Sequence, residues 1–109
     1  MARTSRKQRL ERAGFDTTSV QDFLDLSDEE MTYIEMKLGL ARALKRYRTT
    51  KLKMSQQRLA EWIGSSQSRV AKMEACDPSV TIDLLVRSML STGLNRAEIA
   101  RALNRRQPA

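Results

Sequence analysis

The sequence predicts an all-α protein, and three observations carry that expectation. Only four glycines, two prolines and five aromatic residues occur in 109 residues, too few for a turn-rich sheet protein. Apolar residues recur at helical spacing in several separate stretches. Short polar residues that cap helices stand just before those stretches, some followed three residues later by Glu. With 40% hydrophobic and 30% charged residues, the chain suits one modest core.

The elements follow in order. Residues 1–14 hold five bases and little apolar content, the composition of a disordered basic arm. A short helix is expected over residues 20–25, with Ser19 as cap and Phe23 and Leu24 turned inward. Ser27, Asp28, Glu29 and Glu30 read as a capping box. A long helix then spans residues 28–48, with Met31, Ile34, Leu38, Ala41 and Leu44 as its stripe. Its acidic start and basic end suit the helix dipole. A loop over 49–54 leads to two short helices, 56–63 and 67–74. Thr81 caps a helix carrying Ile82, Leu85, Val86 and Met89, which Gly93 ends. Asn95 and Glu98 form another capping box before a last helix with Ile99, Ala102 and Leu103. Residues 105–109 should fray.

Charge divides the chain unevenly. Residues 1–12 carry a net +4, residues 16–35 a net −7 with no base, and residues 36–109 a net +10. The acidic segment could attract the basic part or serve a basic partner. The total of +7 and a pI near 10.2 point to a polyanion, and nucleic acid fits better than a membrane because no long apolar run appears. No secretory signal is visible, and a cytoplasmic protein is the simplest reading. One cysteine and no histidine leave no disulfide, no zinc site and no ordinary acid–base catalyst, so no enzyme, metal or cofactor is expected. Asp22, Asp25, Asp28, Glu29 and Glu30 are explained by capping and the helix dipole rather than by a metal.

The pair 56–63 and 67–74 has the pattern of a helix-turn-helix. Leu59, Ala60 and Ile63 share one face of the first helix, and Val70 and Met73 one face of the second. Ala60 is small enough for a close crossing. Gly64 can take the left-handed backbone that ends a helix, and Ser66 can cap the next. The second helix opens with Gln67, Ser68 and Arg69, where Glu or Lys would form exposed helix more readily. Short side chains that donate and accept suit a helix end approaching base edges, and Gln can bond both N6 and N7 of adenine.

At these residues the chain resembles the helix-turn-helix domains of lambdoid phage repressors and Cro proteins, within the repressor-like (XRE-type) family of bacterial regulators. The resemblance covers residues 36–104 and rests on Gln56, Ala60, Gly64, Gln67 and Ser68. It implies a five-helix lambda-repressor-like domain that binds double-stranded DNA as a homodimer, with an N-terminal helical extension over residues 15–35. It implies that Gln56 bonds a phosphate and steadies Gln67, which reads an adenine. Ser66, Ser68 and Lys72 would also face the groove, with Arg69 near the backbone. A basic run from Lys37 to Arg58, including Arg48, Lys51 and Lys53, is either a phosphate-binding surface or a solvated face.

Cys76 stands where the family commonly has Gly, which implies a strained cap. Trp62 occupies a position that is often charged, as a partly buried packing residue or a docking site for the N-terminal segment. The extension resembles the leader of an antitoxin-like subgroup. The expected function is therefore a sequence-specific transcriptional regulator, a repressor on an inverted-repeat operator. The alternative is an antitoxin that binds a toxin protein through residues 15–35 and autoregulates its operon. Leu94, Ile99 and Leu103 are expected to form the dimer face, helped by Val20, Phe23 and Leu24.

Overall fold

The computed structural model describes residues 22–105, and all regular structure among them is helical. The basic arm, Ser19 and Val20, and the tail beyond residue 105 lie outside the described residues. Residues 22–24 are helical, and Asp25 takes a left-handed backbone with φ 58°. Five helices follow: α1 Asp28–Arg46, α2 Gln56–Ile63, α3 Gln67–Glu74, α4 Ile82–Ser91 and α5 Arg96–Asn104.

Helix α1 begins at Ser27, whose Oγ accepts from Glu30 N. Asp28, Glu29 and Glu30 sit in its first turn and Lys45 and Arg46 in its last, as the dipole favours. It does not run regularly to residue 48 and then loosen. It widens into a π-helical turn, Tyr47–Leu52, which closes when Lys53 N–H bonds Arg48 O. The expected loop is therefore largely helical. Thr49 Oγ1 donates to Lys45 O and Thr50 Oγ1 to Arg46 O, the back-bonding that Thr makes inside helices. Lys53 then turns the chain at φ 51°.

Helices α3, α4 and α5 pack against α1, and α2 packs on α3. Leu40, Leu44, Leu59, Val70, Met73, Leu85 and Met89 are all fully buried. The α1 stripe is buried at Met31, Ala41 and Leu44 as its period predicts, but not at Ile34. Met31, Lys37, Leu40, Ala41, Ala43 and Leu44 are buried, Leu38 is half-buried, and Ile34 is exposed. Phe23 is 87% exposed and Leu24 55%, so neither turns inward.

The remaining boundaries follow their caps. Ser55, Ser66 and Thr81 each accept a backbone N–H three residues on. At Asn95 and Glu98 both reciprocal bonds of the capping box form. Gly64 ends α2 at φ 70°, and a side chain there would meet nothing within 4 Å. Its glycine is needed for the backbone conformation rather than for space. Leu94 and Ile99 are buried within this chain and Leu103 is partly covered. Two of the residues expected at the dimer face, Leu94 and Ile99, thus belong to the monomer core, because α5 packs along α1.

Candidate nucleic-acid interface

The pair α2 and α3 presents the residues singled out in the sequence. Val70, Met73 and Glu74 face inward from α3, leaving Gln67, Ser68, Arg69 and Lys72 exposed. No acid stands among those exposed residues, since the one carboxylate of α3 is buried. Ser66, Ser68, Arg69 and Lys72 line one shallow groove with Ser79, Val80 and Leu84. Ser66 Oγ accepts from Arg69 N, which fixes the first turn of α3.

Gln56 and Gln67 each open their helix and touch each other. Gln67 Nε2 donates to Gln56 Oε1 at 2.9 Å. Gln56 Nε2 in turn donates to Glu74 Oε1 at 3.1 Å. Glu74 is held by Arg48, whose Nε reaches Oε2 at 2.6 Å and whose Nη2 reaches Oε1 at 2.9 Å. Arg48 Nη1 donates to Met54 O at 2.6 Å. One guanidinium thus ties the π-helical turn, the entry to α2 and the end of α3 together. The hydrogen bond to Glu74 raises the Arg48 pKa above its ordinary value, against the lowering effect of burial.

Two residues of the basic run are therefore not available to phosphate. Arg48 is buried on Glu74, and Lys37 is buried with Nζ 3.3 Å from Asp77 O. The signal for the first lay in Glu74, which falls on the same helix face as the apolar Val70. A carboxylate in a buried stripe requires a cationic partner. Lys51 and Lys53 are exposed. Lys51 lies away from the α3 groove, in a second cleft with Arg46, Arg101, Arg105 and Glu98. Trp62 is 51% exposed, short of the packing residue expected.

After α3 the chain turns at Cys76, φ 55°, the left-handed conformation expected there. Burial raises the Cys76 thiol pKa, and Lys37 and Arg42 oppose that. Asp77 accepts from Ser79 N at 2.9 Å and Ser79 Oγ at 2.6 Å. These bonds hold its carboxyl below its ordinary value.

Compared with known proteins, the chain matches no family model, no curated protein and no solved structure. Among the described residues, no helix is long and apolar enough to cross a membrane.

Proposed function

We propose that the chain is a sequence-specific DNA-binding regulator, a cytoplasmic repressor that acts as a homodimer on an inverted-repeat operator. The observation that carries this reading is Gln67, the first residue of α3, exposed and bonded to Gln56. The other exposed residues of α3 near it, Ser68, Arg69 and Lys72, are neutral hydrogen-bonding or basic. That combination suits the major groove, where a recognition helix offers its N-terminal residues to base edges. The repressor-like five-helix domain belongs to the same proposal.

Selection of bound sequences from random double-stranded DNA tests it. A shared motif built as an inverted repeat is the expected result, with half-sites about 34 Å apart for a two-fold dimer. Absence of any enriched motif, or a monomer in sedimentation on the selected DNA, contradicts it.

One observation favours the antitoxin reading as a second possibility. Phe23, Leu24, Tyr33 and Ile34 are exposed in a segment whose residues 16–35 carry seven acids and no base. Apolar side chains among carboxylates suit a basic protein partner. Titration with the protein encoded beside this chain decides it. Tight binding lost in Phe23→Ala with Tyr33→Ala supports the antitoxin; no binding removes it.

A further inference from the structure

We propose that Glu74 is a specificity-determining positioning residue, which sets the polarity of the Gln67 side-chain amide through Gln56. The inference rests on the DNA-binding reading above and names how that site would be tuned.

A carboxylate in a bidentate pair with arginine is ionised and can only accept. Glu74 is so paired, with its side chain 3% exposed. The atom of Gln56 that faces Glu74 Oε1 must therefore be the amide nitrogen. That leaves Gln56 Oε1 on the far side, and an oxygen can only accept. The atom of Gln67 that meets it must then be Nε2, as found at 2.9 Å. Each link removes one of the two orientations open to a free glutamine amide. Arg48 closes the chain at its buried end, so Glu74 cannot turn away.

The consequence lies at the exposed end. Gln67 keeps one Nε2 hydrogen and its Oε1 for an outside partner, on fixed sides of the amide. An amide of set polarity matches the N7 acceptor and N6 donor of adenine in one pose only. An unrestrained glutamine would instead lose orientational freedom on binding and tolerate other bases.

Glu74→Gln tests this. Glutamine at 74 has one acceptor oxygen for the three N–H donors that Glu74 receives from Arg48 and Gln56, so its NH2 competes with them and Gln56 no longer meets a fixed acceptor. Gln56 is then free to turn over, and Gln67 with it. Base preference is read by competition among DNA sites that differ at the Gln67-dependent position, with random DNA alongside. Wild-type preference for adenine should fall by about fivefold or more, the low end of a bidentate contact, while binding to random DNA changes little. In the DNA-free protein, the side-chain amide resonances of Gln56 and Gln67 should shift. A double variant, Arg48→Met with Glu74→Met, guards against misfolding by removing both buried charges. It should show the same loss of preference. Unchanged preference and unchanged amide resonances in folded Glu74→Gln overturn the proposal. Wild-type protein without any base preference overturns the DNA-binding reading instead, and the amide resonances still judge the relay.

Discussion

Arg48 and Glu74, 26 residues apart in the chain, meet through two hydrogen bonds of 2.6 and 2.9 Å. Both side chains are largely withdrawn from water, at 11% and 3% exposure. Glu74→Ala leaves the guanidinium buried without its partner. Removal of one member of a buried pair costs about 3–5 kcal/mol, whereas apolar replacement of both is often neutral. Urea denaturation should show a large loss for Glu74→Ala and a much smaller one for Arg48→Met with Glu74→Met. Equal losses for the two variants would show that the pair itself, rather than the orphaned charge, carries the stability.

Cys76 holds a left-handed backbone without being glycine. For an L-residue that conformation costs about 1–2 kcal/mol. Cys76 also packs partly against the core, so glycine forfeits some apolar contact. Cys76→Gly should still raise stability by about 0.5–1 kcal/mol, since glycine takes the turn without strain. A lower urea midpoint for the glycine variant would exclude a strained cap.

The boundaries of α2 and α3 were legible residue by residue. Gly64 and Ser66 are local signals, and local signals survive without tertiary context. The same holds for the capping box at Asn95, whereas the left-handed turn at Cys76 was legible only through the family resemblance. The contact of Gln56 with Gln67 was legible only through the family resemblance. What stayed hidden depends on neighbours distant in sequence. Arg48 looked like one more surface base, because nothing near it announces Glu74. Leu94 and Ile99 looked uncovered, because the packing of α5 along α1 is not written in either helix. Ile34 kept the helical period yet stayed exposed, since periodicity gives a face but not a partner for it.

Asp77 links pH to stability. Ser79 donates two hydrogen bonds to its carboxylate and lowers its pKa. A depressed carboxyl stabilises the fold above its unfolded pKa and loses that contribution as pH falls through the folded value. Asp77→Asn keeps an acceptor but removes the charge. Its urea midpoint should lie below wild type at pH 7, and the gap should close as the pH falls past the folded value. A gap that is constant with pH would mean that the charge is not the cause.

Gln67 and Lys51 should fail in different ways on DNA. Gln67 stands at the start of α3, bonded to Gln56. If it reads an adenine, Gln67→Ala should cost about 1–3 kcal/mol on the selected operator. On random DNA it should cost little, because no base is read there. Lys51 is exposed in a separate cleft with Arg46 and Arg101. A phosphate contact gives affinity without sequence information. Lys51→Ala should therefore weaken binding to both DNAs alike and lower the salt slope by about one per contact. Titrations of both variants on both DNAs at two salt concentrations separate the roles. Equal losses on operator and random DNA for Gln67→Ala would rule it out as a reader. An unchanged salt slope for Lys51→Ala would remove Lys51 from the phosphate-binding surface and leave Lys53, Arg69 and Lys72, all exposed, to supply it.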